Sequence, residues 1–191
     1  ALVQDFAIAA SDSADDAVTG AALVVLAVKP QVMREVCTAL APTLERNGVT
    51  VVSIAAGIRS EQIDGWLGGG RAIVRAMPNT PALLRAGATG LYANERCDAD
   101  ARELADGLLT AVGVTVWLDN EDLIDAVTAV SGSGPAYFFR MIEALQAAGV
   151  AQGLDEDAAR PLVLHTALGA ARMAIESGES ASVLRQRVTS P

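Results

Sequence analysis

The sequence has few cysteines and histidines, which form disulfides and bind metals, and its apolar runs are short. It has two cysteines, Cys37 and Cys97, and one histidine among 191 residues. Two cysteines cannot form a disulfide framework, and no Cys-x-x-Cys pair offers metal ligands. The best apolar run, residues 21–28, has the length of a strand and falls far short of the ~18 residues of a membrane-spanning helix. We therefore expect a cytoplasmic protein with reduced cysteines, no metal site and no membrane contact.

Aromatic residues and basic charge are scarce as well. Aromatics make up 4% of the chain, so the core must be built from Ala, Val, Leu and Ile packed at close backbone distances. The net charge of −9 argues against a general electrostatic surface for nucleic acid. Because 51% of the residues are hydrophobic and only 19% are charged, the chain is not of the disordered class. Its length suffices for one large domain or two small ones.

What the sequence does contain, in its first half, is an alternation of strand-like and helix-like segments. Buried strands are predicted at residues 23–28, 49–56 and 72–77, with helices at residues 31–44 and 60–67 between them and a helix stop signal at Asn47 and Gly48. This order is typical of a parallel sheet covered by helices. Ligands of such sheets bind where the strands end, so the loops at residues 27–30, 55–57 and 77–79 form our candidate site.

Each of these three loops has a functional and a structural interpretation. Lys29 can reach a phosphate or ribose, or it can be a solvated lysine at the start of a helix. Ala55 and Ala56 allow a flat ring to approach the backbone, but small residues also let helices pack closely. Asn79, held between two prolines, can orient a ligand or cap the segment that follows. The residues alone leave these alternatives open.

The second half of the sequence continues the sheet briefly and then becomes helical. Strands are predicted at residues 88–92 and 114–118 with a helix at 98–112 between them, followed by helical segments at 121–148, 155–177 and 184–188. Pro161 falls inside the second of those helical segments, so that helix is expected to start late or to kink. We place the domain boundary after residue 119, which gives domains of residues 1–119 and 120–191.

Two features of the helical half can carry chemistry. Residues 131–135, Ser-Gly-Ser-Gly-Pro, interrupt a helix at a cost of roughly 1 kcal/mol for each interior Gly and 3 for an interior Pro, so a functional kink or a close helix crossing is expected. A serine hydrolase is disfavoured because the chain has a single His and the Gly-x-Ser-x-Gly sequence is in a helical context. Glu121 and Asp122 can favour a helix dipole, or place a carboxylate in a cleft to stabilise a cationic substrate.

Seven segments, in the same order along the chain, carry a family resemblance. They are residues 26–31, 52–57, 74–81, 121–127, 130–137, 169–173 and 188–191. Each segment is weakly specific alone, but together they resemble pyrroline-5-carboxylate reductase over essentially the whole sequence. The resemblance implies an α/β fold: a Rossmann-like parallel sheet, N-terminally incomplete, followed by an all-helical dimerisation domain of the 6-phosphogluconate dehydrogenase type.

The resemblance also implies a reaction, a cofactor and an assembly. The reaction is the reduction of 1-pyrroline-5-carboxylate to L-proline by NADPH or NADH, the last step of proline biosynthesis. A homodimer is implied, and a higher ring is left open. Two alternatives remain: another β-hydroxyacid or 6-phosphogluconate-type dehydrogenase, and a non-catalytic dimerising or binding protein on the same scaffold.

By the same resemblance, a set of residues receives roles in the site. The cofactor residues are Ala27, Val28, Lys29, Pro30, Ile54, Ala55, Ala56, Asn79 and Arg187, the substrate residues are Glu121, Ser131 and Ser133, and the catalytic residue is Glu121. Arg187 stands where some relatives have Asn. The family's first Gly-rich unit and its C-terminal Gly-Gly segment have no counterpart in this sequence, so we expect a partial chain that binds NADPH weakly by itself.

Overall fold

A computed structural model describes residues 2–44 and 48–189 of the chain. Asn47 of the predicted helix stop, and Ser190 and Pro191 of the last family-like segment, lie outside those residues. The chain divides into two compact units, Ala1–Pro135 and Ala136–Pro191. The predicted domain boundary after residue 119 stays a prediction.

The first unit contains a five-stranded sheet. Its strands are β1 (Leu23–Leu26), β2 (Thr50–Ser53), β3 (Ala72–Met77), β4 (Gly87–Ala93) and β5 (Gly113–Trp117), and they lie in this order across the sheet. Strands β1, β2 and β3 run parallel to one another, as predicted. Strand β4 is antiparallel to β3, while β5 is parallel to β4.

The antiparallel β4 departs from the all-parallel sheet predicted by the sequence. Only residues 78–86 connect β3 to β4, and their one regular element is a 3₁₀ helix, Thr80–Leu84. A parallel connection needs a crossover of about a dozen residues or more, so a linker of this length can only return the chain antiparallel. The α/β, Rossmann-like fold is confirmed with this one reversal.

The helices follow the predicted pattern with shifted ends. They are α1 (Leu2–Phe6), α2 (Ala14–Val18), α3 (Pro30–Leu44), α4 (Ser60–Trp66), α5 (Ala99–Thr110), α6 (Leu123–Val127), α7 (Gly134–Ala151), α8 (Glu156–Glu176) and α9 (Ala181–Val188), with a π-helical turn at Thr128–Gly132. The late start expected for the helix containing Pro161 is wrong, because the Asp155 carboxylate caps α8 through the backbone N–H of Ala158. None of the helices in the described residues is long and apolar enough to cross a membrane.

Helices cover both faces of the sheet, and all four residues of β2 are buried. Val51 packs with the side of the sheet covered by α3 and α4, whereas Val52 packs with the side covered by α5. Both valines are fully buried. A strand buried on both faces does not alternate between apolar and polar residues, and Val51 and Val52 are therefore both apolar.

In the second unit, many large apolar side chains are exposed to solvent. Tyr137, Phe138 and Phe139 on α7 and Met173 and Ile175 on α8 are each more than half exposed. Exposed apolar surface on this scale marks an interaction face rather than a finished monomer.

Candidate active site

The ends of the three parallel strands lie side by side at one edge of the sheet. Leu26 pairs with Ser53, so β1 and β2 end at the same level, and Ser53 pairs with Arg75, two residues before β3 ends at Met77. The structure therefore brings together the predicted loops at residues 27–30, 55–57 and 77–79. The carboxyl edge of a parallel sheet is where nucleotides and their relatives bind.

This edge has room for a flat, phosphorylated ligand. Lys29 is exposed and directly precedes α3, which begins at Pro30. Ala55 is buried, whereas Ala56 and Gly57 are exposed. Gly57 has φ +75°, and a Cβ added there would meet no protein atom within 4 Å. Small side chains, open space and a cation at a strand end fit a nicotinamide nucleotide.

The remaining predicted residues of these loops, Ala27, Val28 and Ile54, lie beyond the ends of β1 and β2. Ala27 is exposed, and Val28 and Ile54 are half-buried. Val28 packs against the core on the α3 side of the sheet, and Ile54 packs against the core on the α5 side. The side chains of Val28 and Ile54 therefore serve the core, and it is the backbone at these positions that faces the edge.

Asn79 bridges three backbone segments with its side chain. Its Oδ1 accepts the N–H of Ala88 at 2.9 Å, and its Nδ2 donates to the carbonyl of Ser131 at 3.0 Å. It precedes the 3₁₀ helix without giving it a side-chain cap. The expected cap is therefore wrong, and the ligand contact stays a prediction; what the amide does is join β4 and the π turn to the end of β3.

Glu121 is the acceptor in a buried hydrogen-bond network. Its Oε1 accepts the N–H of Ser60 at 2.6 Å and Arg75 Nη1 at 2.9 Å, and its Oε2 accepts the Ser60 hydroxyl at 2.9 Å. The Arg75 and Glu121 side chains are 5% and 11% exposed. Beside them, Arg59 pairs with Asp122 at the surface. Glu121 thus holds the end of β3 and the start of α4 together, and neither carboxylate caps α6.

The electrostatics of this network keep Glu121 ionised. Burial raises the pKa of its carboxyl, but the hydrogen bonds from Ser60 and Arg75 outweigh burial and hold the pKa below its ordinary value of 4.5. A carboxyl whose pKa is lowered by folding stabilises the folded state above its unfolded pKa. That stabilisation is lost as the pH falls from 4.5 through the lower, folded value.

Acid unfolding therefore tests this network. We expect the free energy of unfolding of the native protein to fall as the pH drops below 4.5, and to fall less steeply in Glu121→Gln. Urea unfolding at a series of acid pH values measures both slopes. Glu61→Gln, at an exposed position on α4, is the matched control and should keep the native slope. Equal slopes for Glu121→Gln and the native protein would contradict the account.

The other predicted substrate and cofactor residues fall into different units. Ser131 lies on the π turn, and its hydroxyl donates to the carbonyl of Val127 at 3.1 Å. Ser133 is exposed, and its backbone N–H donates to the carbonyl of Thr128 at 2.8 Å. Arg187 is on α9 in the second unit, where its guanidinium donates to Glu179 at 2.7 Å. The first unit thus brings Ser131 next to Asn79, and Arg187 is described only within its own unit.

The sequence interpretation missed Arg75 and Ser60, the partners of Glu121. One signal for Arg75 was present, because it is the only charged residue in the apolar strand Ala72–Met77. A buried arginine needs a carboxylate partner, so a distant Asp or Glu had to fold against it. The sequence does not say which acid that is, and Ser60 offers no comparable signal.

Two family models match parts of the chain. Residues 121–191 match the model described as pyrroline-5-carboxylate reductase dimerisation. Residues 1–57 match the model described as NADP oxidoreductase, coenzyme F420-dependent.

Curated proteins and solved structures are similar over nearly the whole chain. The pyrroline-5-carboxylate reductase of Pseudomonas aeruginosa is 55% identical over 100% of this chain and 69% of its own length. A pyrroline-5-carboxylate reductase structure from Coxiella burnetii is 45% identical with a TM-score of 0.94, covering 99% of this chain and 70% of that one. The Plasmodium falciparum pyrroline carboxylate reductase, solved with NADP bound, is 29% identical with a TM-score of 0.86, covering 95% of this chain and 68% of that one.

Proposed function

Because the chain belongs to the pyrroline-5-carboxylate reductase family, we propose that the carboxyl edge of β1–β3 is where it binds a reduced nicotinamide cofactor, NADPH or NADH. The reaction is the reduction of 1-pyrroline-5-carboxylate to L-proline, the last step of proline biosynthesis. The likeness to the Pseudomonas protein along the whole chain supports the substrate. The geometry that supports the cofactor site is the parallel pairing of β1, β2 and β3, which brings their carboxyl ends to one edge of the sheet.

The residues at this edge have distinct tasks in cofactor binding. Lys29 directly precedes α3, which begins at Pro30, so the lysine is placed to meet a phosphate or ribose hydroxyl. Ala27, Val28, Ile54, Ala55 and Ala56 bring backbone close to the ligand, because no large side chain projects from the loops at Ala27, Ala55 and Ala56. Arg187 stays a predicted cofactor contact from the second unit.

The reaction requires little acid–base catalysis from the protein. When bound, the reduced nicotinamide supplies a hydride to the imine carbon of the substrate, whose protonated ring nitrogen makes that carbon electrophilic. The protein's contribution is to hold the two partners at reacting distance and to exclude water. The proposed substrate contacts are Ser131, which is bound by Asn79 just after the end of β3, and Ser133, two residues further along the chain.

The catalytic role predicted for Glu121 stays a prediction. Both of its oxygens already accept hydrogen bonds from Ser60 and Arg75, so a substrate cation would share a carboxylate that is partly neutralised. Single-turnover measurement of hydride transfer in Glu121→Gln tests the role. A slower transfer supports it, and an unchanged rate in the folded variant removes Glu121 from the mechanism.

The activity itself is tested with the full-length gene product. We expect it to oxidise NADPH only when 1-pyrroline-5-carboxylate is added, and to form L-proline in equal amount. A panel of β-hydroxyacids with NADP is the control for the related dehydrogenases. If the protein turned over a β-hydroxyacid but not the imine, the substrate would be the β-hydroxyacid. If it turned over neither, a non-catalytic binding protein would be favoured.

The protein is a homodimer, as the dimerisation model over residues 121–191 implies. The exposed apolar side chains of α7 and α8 supply surface for such an interface. Assembly of the dimers into a ring stays open. The domain division at residue 119 and a cytoplasmic location are also proposals, the second supported by two free cysteines, of which Cys37 is buried.

A further inference from the structure

The π turn between α6 and α7 leaves a backbone carbonyl without its usual donor. In a helix, the carbonyl of Ser131 would accept the N–H of residue 135, four positions on. Residue 135 is Pro and has no N–H. The Asn79 amide donates to this same carbonyl at 3.0 Å. Asn79 thus supplies, from the end of β3, the donor that Pro135 removes.

The last residue of α6 and the π turn that follows it are also packed onto the sheet, at two other points. A Cβ added to Gly90 would lie 2.6 Å from Val127 Cγ2, so the side chain of Val127 lies directly on the β4 backbone. A Cβ added to Gly132 would lie 2.9 Å from Met77 Cε, so the turn's backbone meets the last residue of β3. These apolar contacts fix how close the turn lies, and the Asn79 hydrogen bond fixes its orientation.

We propose that Asn79 is a positioning residue of the reaction: its amide orients the Ser131 turn against the end of β3 and makes no bond to the cofactor. This rests on the proposed function, since it takes the β3 end as part of the cofactor edge and Ser131 and Ser133 as substrate contacts. Both amide atoms are already engaged, with Ala88 and Ser131. A small rotation of the turn would move the substrate relative to the hydride donor, and a displacement near 1 Å can lower a rate by roughly 100-fold.

The first test is kinetic, in the full-length gene product. We expect Asn79→Ala to lower kcat/KM for the imine by roughly tenfold or more, while the Kd of NADPH changes by less than about twofold. Asn79→Asp keeps the acceptor for the N–H of Ala88 but cannot donate to Ser131, so it should behave like Asn79→Ala. It also serves as the test if Asn79→Ala does not fold.

Asn94 provides a matched control at the opposite end of β3. Its Oδ1 accepts the N–H of Ile73 at 3.1 Å, and its Nδ2 donates to the carbonyl of Arg71 at 2.9 Å. Asn94→Ala therefore removes the same kinds of bond away from the carboxyl edge. We expect it to lower Tm much as Asn79→Ala does, by roughly 3–8 °C, and to leave kcat/KM within about twofold of the native value.

A second readout does not depend on activity. Hydrogen exchange of the amides in residues 128–134 should be faster in Asn79→Ala and unchanged in Asn94→Ala. In a Pro135→Ala background, residue 135 regains an N–H, so the fall in Tm caused by Asn79→Ala should be smaller than in the native background.

Three results would overturn the proposal. A rise in the Kd of NADPH that matches the loss of kcat/KM would make Asn79 a cofactor ligand. If the Asn79 variants had the same kinetics as Asn94→Ala, Asn79 would have only a structural role. Unchanged exchange in residues 128–134 would show that the turn does not depend on it. The proposed function is tested separately, by the native protein. If the native protein had no imine reductase activity, the proposed function itself would be refuted.

Discussion

Replacing Arg75 by Met is expected to lower the free energy of unfolding by about 3 kcal/mol, because it removes the buried countercharge of the Glu121 carboxylate and leaves only the more distant, half-exposed Arg59 at 3.9 Å. The methionine fills similar space in β3 but donates no hydrogen bond. Glu121 keeps the two donors of Ser60, so the expected loss lies at the lower end of the range for broken buried ion pairs. Urea unfolding at neutral pH measures the loss.

The double variant separates lost charge balance from lost packing. Arg75→Met combined with Glu121→Gln removes the uncompensated charge and keeps an oxygen acceptor for Ser60, so it should recover at least about half of the lost free energy. Losses that simply add in the double variant would show that Arg75 and Glu121 are not coupled. A loss below about 1 kcal/mol for Arg75→Met alone would show that the pair is effectively solvated.

The second large effect concerns cofactor affinity. Lys29→Glu is expected to raise the Kd of NADPH roughly 30-fold or more, because a charge-assisted bond to phosphate or ribose is replaced by repulsion. Lys29 is exposed, so the substitution should leave the fold intact. Fluorescence titration of the full-length gene product with NADPH measures the change, and circular dichroism verifies the fold.

Arg96→Glu is the control for the change in net charge. Arg96 is exposed in the loop after β4, next to Asn94 at the opposite end of the sheet. Arg96→Glu makes the same charge reversal as Lys29→Glu, and it should change the Kd of NADPH by less than about threefold. Equal effects of the two variants would mean that the charge of the whole protein, and not a contact of Lys29, governs NADPH affinity.

The sequence predicts the parallel half of this fold well because short stretches of sequence determine its strands and helices. β3 is buried and matches its predicted limits of residues 72–77. β1 was also predicted to be buried, but it lies at the edge of the described sheet and Val25 is exposed. Where strands were predicted too long, as with β1, the extra residues Ala27 and Val28 form the strand exit. The convergence of the three loops follows from parallel pairing alone, so the candidate edge could be found without coordinates.

The sequence does not predict the long-range polar contacts. Glu121 reads locally as an acidic residue before a helix, but its partners Ser60 and Arg75 lie far away in the chain. Asn79 reads as a cap for the next segment, yet its amide reaches Ser131. Such contacts depend on which elements meet in space, and a side chain with two acceptors or donors is compatible with many partners.

The most direct test of the account is a footprint of NADPH on the full-length gene product by hydrogen exchange. If the carboxyl edge of β1–β3 binds the cofactor, saturating NADPH should slow exchange in residues 27–30 and 54–57, and leave residues 94–97 at the other end of the sheet unchanged. Protection confined to residues 94–97, or absent from both strand exits while NADPH is bound, would contradict it.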